Sequence, residues 1–187
     1  MSTKYELKER AEASLYSFFI QSWPIIEGHS KFVDEWFLEV IAEHLELVYY
    51  RKIKNLLINV PPRVGKTSLI SIAFPAWVWI KDATEKFICA SCTNSLSLDI
   101  ADKSRLLIES PWYQENWGHL FKIRADQNAK SYFANDQTGY RISSSVGSMI
   151  IGKGGSIQLT DDPNVVGGES EVVRDGVLNW WSMKWYN

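Results

Sequence analysis

The sequence predicts an α/β fold, a mostly parallel sheet flanked by helices, on three observations. An apolar run over residues 56–60 stops at Pro61-Pro62 and delivers Gly65-Lys66-Thr67 to the start of an amphipathic segment. A second short apolar run, residues 157–160, ends in Asp161-Asp162-Pro163. Between the two, runs of strand length alternate with segments of helical period, the order that parallel strands joined by crossover helices require.

The elements follow from period and punctuation. Residues 4–20 carry Leu7, Ala11, Leu15 and Phe18 at helical spacing and read as one helix, ended by Trp23-Pro24. Residues 32–49 read as a second helix, with Trp36, Val40, His44 and Leu47 roughly on one stripe. Leu56, Leu57, Ile58 and Val60 read as a buried parallel strand that the two prolines prevent from continuing. A helix is predicted from about Gly65 to Trp79, kinked or divided at Pro75. Residues 87–91 form the next strand, and residues 94–109 a helix capped by Thr93 or Asn94 and closed by Ser110-Pro111. Residues 132–134 and 140–144 look like a hairpin around the turn-forming NDQTG. The strand at 157–160 follows, then a helix over about 169–181. No internal repeat or low-complexity linker divides the chain, so residues 1–187 read as one domain, helical through residue 50 and α/β from residue 51.

Strand, tight loop, helix is the order that a phosphate-binding loop needs. The loop's backbone N–H groups and the positive end of the helix dipole surround the phosphates. Here the loop comprises Pro62, Arg63, Val64, Gly65, Lys66, Thr67 and Ser68. Gly65 allows close backbone approach, Lys66 reaches the β- and γ-phosphates, and the Thr67 hydroxyl ligates Mg²⁺. The full G-x-x-x-x-G-K-[ST] pattern has a glycine where this chain has Val60. Asp161 and Asp162 stand at the carboxyl end of a strand, the side on which open α/β sheets bind ligands. One carboxylate can hold the Mg²⁺ hydration shell while its neighbour orients and deprotonates a water. Asp161 is the candidate for the metal, Asp162 for the general base, and ATP with Mg²⁺ is the expected ligand.

From about residue 32 to residue 181 the chain resembles the large terminase subunits of tailed bacteriophages, which are DNA-packaging ATPases. The resemblance rests on IAEHLELVYYRKIKNLLINVPPRVGKT, FPAWVWI, SLSLDIADKSRLLIESPWYQENWG, DQTGYRISSSVG, GGSIQLTDDPN and ESEVVRDGVLNWW, in that order. A PPR-x-GKT loop without its first glycine is typical of that family. The resemblance implies a P-loop NTPase fold of the RecA/ASCE-like type, with Lys66 in its Walker A loop and Asp161 in its Walker B strand. It also implies ATP hydrolysis that drives double-stranded DNA into a procapsid. The implied partners are DNA, the portal protein, the small terminase subunit and further copies of the chain on the procapsid. Arg63 would stabilise γ-phosphate charge in cis; a salt bridge that fixes the loop is the other reading. Arg105 and Arg141 are candidate arginine fingers toward a neighbouring subunit. Many relatives carry Glu at the base position, one methylene longer than Asp162.

In the fold so implied, the strand after Walker B lies between the Walker A and Walker B strands, and a nuclease domain follows. Asn187 arrives before either. The expectation is therefore an incomplete sheet that needs a partner or is marginally stable, and no nuclease activity. A prophage remnant that binds nucleotide without turnover is the alternative reading.

Composition agrees without pointing further. At 187 residues, 45% hydrophobic and 22% charged, the chain can bury one ordinary core. A net charge of −2 gives no overall footprint for nucleic acid, and Arg51-Lys52-Ile53-Lys54, the densest basic patch, reads as a solvated edge. Cys89 and Cys92 have no second ligand pair, and Cys89 lies in an apolar run, so both read as structural thiols. His29, His44 and His119 have no ligand spacing. With no signal peptide and no apolar run of membrane length, the expected location is the cytoplasm of a bacterial host.

Overall fold

The computed structural model describes residues 3–148, 154–164 and 170–185. Its first segment is two helices, α1 (Lys4–Ala13) and α2 (Leu15–Ile26), where the sequence predicts one. Ser14 makes the break: its backbone is extended, and its hydroxyl accepts the Ser17 N–H at 3.3 Å as the cap of α2. A capping residue with apolar spacing on both sides divides a helix that periodicity alone would run together. Pro24 lies inside α2 near its end and does not stop it.

Helix α3 (Trp36–Tyr49) begins later than residue 32 and turns a different face inward. Leu38, Ile41, Ala42 and Leu45 are buried, whereas Trp36 on the predicted stripe is 75% exposed, with Val40 and Leu47 also exposed. The buried set sits at i, i+3, i+4 and i+7, a fully apolar stripe that outcompetes one containing His44. Glu46 on α3 accepts the Leu15 N–H at 2.7 Å, satisfying an orphan donor at the start of α2. Burial raises the Glu46 pKa, only partly opposed by that hydrogen bond. A carboxyl with a raised folded pKa binds its proton more tightly folded than unfolded. Stability is therefore lost as pH rises from 4.5 through the folded value. Glu46→Gln keeps the acceptor and removes the charge. Its thermal midpoint should exceed that of the wild type at pH 7, with the difference vanishing below pH 4.5; a lower midpoint at pH 7 would refute this.

After the loop, the chain is π-helical over Ser68–Ala73 and α-helical in α4 (Phe74–Lys81), so the change at Pro75 predicted from sequence is one of helix type. Then come β1 (Lys86–Ser91), α5 (Asn94–Glu109), α6 (Pro111–Trp117), β2 (Ile123–Ala129), β3 (Tyr132–Asn135), β4 (Tyr140–Ser145), β5 (Ile157–Asp161) and α7 (Glu171–Trp180). Thr93 caps α5 through the Leu96 N–H, and Ser110 caps α6. The last predicted helix starts at residue 169, which lies outside the described residues; from Trp181 to Trp185 the chain is π-helical.

The strands form one open five-stranded sheet in the order β2-β3-β4-β1-β5. It is mixed: β1 runs parallel to β4 and β5, while β3 is antiparallel to β2 and β4. The antiparallel part follows from two tight connections that leave no room for a crossover. Gly139 closes the second of them, where a Cβ would lie 2.1 Å from the Ala83 carbonyl oxygen. The polar sequence of β2, IRADQNA, carries no strand signature, and its place in the sheet comes from pairing with β3.

Side-chain alternation divides the core. Phe87, Cys89, Ile157 and Leu159 face the helical layer of α2, α3, α4 and α5, while Ile88, Ala90 and Ile142 meet Trp180 and Trp185 on the other face. The Cys89 thiol is buried, which pushes its pKa up, and both cysteines are free.

The strand predicted over residues 56–60 does not form. These residues pair with no strand among those described, and Leu57 is 94% exposed. Leu56, Ile58 and Val60 are partly buried and pack against the core. The sheet ends at β5, whose outer edge these residues do not join, so the apolar run has no ladder partner and packs only through side chains.

Candidate functional site

Alternation along β5 places Asp161 on the same face as Ile157 and Leu159, pointing into the helical layer. There it meets the start of the helix that follows the Gly65 loop. Lys66 Nζ lies 3.3 Å from Asp161 Oδ1 and also hydrogen-bonds the Asp162 carboxylate. Asp161 is 7% exposed and Asp162 63%, so the ammonium bridges a buried and a solvated carboxylate. Burial penalises the Lys66 charge, but the Asp162 hydrogen bond and both carboxylate charges outweigh it and hold its pKa above the ordinary lysine value. That stabilisation is present in full at neutral pH and is lost only as pH rises through the folded pKa.

The loop has the backbone expected of a close-approach turn. Gly65 has φ +85° and Arg63 φ +65°, both left-handed. Asp162 is left-handed too, at φ +44°, a conformation Asp tolerates better than most residues. A Cβ on Gly65 would lie 3.3 Å from the Trp23 ring and 3.6 Å from Phe19, so α2 packs directly against the loop. Among the described residues, the N–H groups of Val64, Gly65 and Lys66 donate to no backbone carbonyl, which leaves them available to an anion. Ser68 donates to Glu27 at 2.5 Å, and Glu27 also pairs with Lys103 at 3.5 Å. Asp161 Oδ2 accepts from Ser71 Oγ at 3.3 Å.

The structure thus brings Lys66 together with Asp161 and Asp162, with Gly65 and Thr67 its neighbours in the chain. Pro62 and Arg63 are exposed, and no ion pair of Arg63 occurs among the described residues, so the salt bridge that would fix the loop is not found. Ser68 faces Glu27 and not the loop mouth. Arg141 is 1% exposed within the fold, which rules it out as a finger toward another subunit. Arg105 pairs with Asp102 at 3.2 Å on its own helix.

The residues fit Mg²⁺ bound together with a phosphate. The donors are all oxygen, two carboxylates already converge on one cation, and Thr67 offers a hydroxyl with no hydrogen bond among the described residues. Mg²⁺ takes one or two carboxylates and fills its remaining positions with water and phosphate. No group of three His, Cys, Asp or Glu able to hold a metal by itself occurs among the described residues.

Glu27, Ser71, Phe19 and Trp23 pack behind the site residues, and no motif in the sequence marks them. Glu27 and Trp23 come from the N-terminal helices, whose sequence carries no phosphate-site pattern. Ser71 had a signal, its spacing of four residues from Pro75. No helix among the described residues is long and apolar enough to cross a membrane. Neither a protein-family model nor a curated protein matches this chain.

Proposed function

We propose that this chain is a P-loop ATPase of the kind found in phage large terminase subunits, acting in the bacterial cytoplasm to move double-stranded DNA into a procapsid. The supporting observation is the clasp of Lys66 by Asp161 and Asp162, which joins the loop to the carboxyl end of β5. Lys66, released from the clasp, would neutralise β- and γ-phosphate charge, and the free N–H groups of the loop would hold the phosphate oxygens. Thr67 and Asp161 would hold Mg²⁺, whose contribution when bound is to neutralise charge on the phosphates. Asp162, solvated and beside the site, would orient and deprotonate the attacking water. Arg63, with no ion pair among the described residues, would add a second positive charge near the γ-phosphate. The portal protein, the small terminase subunit and further copies of the chain belong to the same reading.

A nucleotide-binding remnant without turnover is the second reading, favoured by the unpaired residues 56–60 next to the loop. The deciding experiment is Mg²⁺-ATP binding and turnover by the purified chain beside Lys66→Ala. Turnover lost in the variant supports the enzyme, and binding without turnover supports the remnant. A wild-type chain that binds no nucleotide would refute both.

A further inference from the structure

Proline has no N–H, so Pro75 removes the α-helical donor that the Ser71 carbonyl, four residues back, would have used. The chain over Ser68–Ala73 takes π-helical geometry, and the released Ser71 carbonyl accepts from Arg141 Nη1 at 2.7 Å, across from β4. Arg141 lies among Pro75, Trp79, Ile108 and Phe133, where the remaining void is too small for a water. Its Nε has no partner, and it forms no ion pair among the described residues. A buried guanidinium without a counter-charge is costly, and an apolar side chain would suit this lining better. What the cation secures is the position of Ser71. That residue is itself buried, and its hydroxyl reaches Asp161 Oδ2 at 3.3 Å while Asp161 Oδ1 faces Lys66.

We infer that Arg141 and Ser71 are positioning residues for the metal-side carboxylate: Arg141 pins the Ser71 backbone, and the Ser71 hydroxyl turns Asp161 so that one oxygen is presented to the cation. The inference rests on the phosphate-site reading above. At 3.3 Å the hydroxyl contact is long, so its contribution is orientation more than bond strength. Loss of a partner that orients a metal ligand typically weakens metal affinity about 10–100-fold.

The test is the Mg²⁺ concentration that half-saturates binding of a fluorescent ADP, with ADP affinity in EDTA as the internal reference. Ser71→Ala is expected to raise that Mg²⁺ concentration about tenfold while leaving metal-free ADP affinity and the thermal midpoint near wild type. Ser71→Thr, which keeps the hydroxyl, should restore it. Arg141→Met should move Mg²⁺ dependence in the same direction; should it fail to fold, Ser71→Ala decides alone. Wild-type binding of ADP with unchanged Mg²⁺ dependence in Ser71→Ala overturns the positioning role and leaves the phosphate site standing. A wild-type chain that binds no ADP overturns both.

Discussion

Trp77→Ala is expected to destabilise the fold by about 3–5 kcal/mol, the range for truncating a buried aromatic. Trp77 is fully buried on α4, its indole N–H donates to the Ala11 carbonyl at 3.0 Å, and its ring meets Tyr49 edge-on at 5.7 Å. One side chain therefore joins α1, α3 and α4. Removing it opens a cavity between three helices and leaves a buried carbonyl unpaired, so the two costs add. For a chain of this size the midpoint should fall by roughly 6–20 °C. Thermal melting followed by circular dichroism measures it. A fall under about 2 °C would mean that the helices do not meet at Trp77 in solution.

Lys66→Ala should act on binding and on stability by separate routes. Charge-assisted hydrogen bonds contribute about 1.5–3 kcal/mol each, so loss of the ammonium should weaken nucleotide binding on the order of 10–100-fold. The variant also leaves Asp161, nearly buried, without its cation and with only the Ser71 hydroxyl as partner. Its midpoint in EDTA should fall below that of the wild type, and added Mg²⁺ should narrow the gap by replacing the missing charge. Melts with and without Mg²⁺, beside a nucleotide titration, separate the two effects. Equal nucleotide affinity in the variant and the wild type would remove Lys66 from the site.

The pairing of Lys66 with Asp161 and Asp162 was legible in the sequence because each half carries a local signature, Gly-Lys-Thr after two prolines and Asp-Asp after a short strand. The helix over Asn94–Glu109 was legible for the same reason, with its cap and its stop both written locally. What was not legible depends on neighbours. Residues 56–60 have the composition of a core strand, but a strand needs an adjacent ladder, and periodicity carries no information about that. The polar β2 is the converse case, a strand made by its partner. Glu27 and Trp23 reach the loop only because α2 folds across it, a tertiary fact without a sequence period. Arg105 and Arg141 are equal finger candidates in the sequence, which gives no geometry to choose between them; the burial of Arg141 depends on the Ser71 carbonyl, 70 positions earlier in the chain.

The two halves of the site are anchored to different parts of the molecule. Asp161 sits on a strand laddered to β1, with Ser91 opposite it. Lys66 follows a stretch with no ladder, and its neighbours in the chain are held by the N-terminal layer instead: Gly65 lies against Phe19 and Trp23 of α2, and Ser68 donates to Glu27 just past its end. A tilt of α2 would thus carry the lysine with it while the aspartate stayed where the sheet holds it. The distance between the two charges is therefore set by how the N-terminal helical layer packs on the loop, and not by the sheet alone.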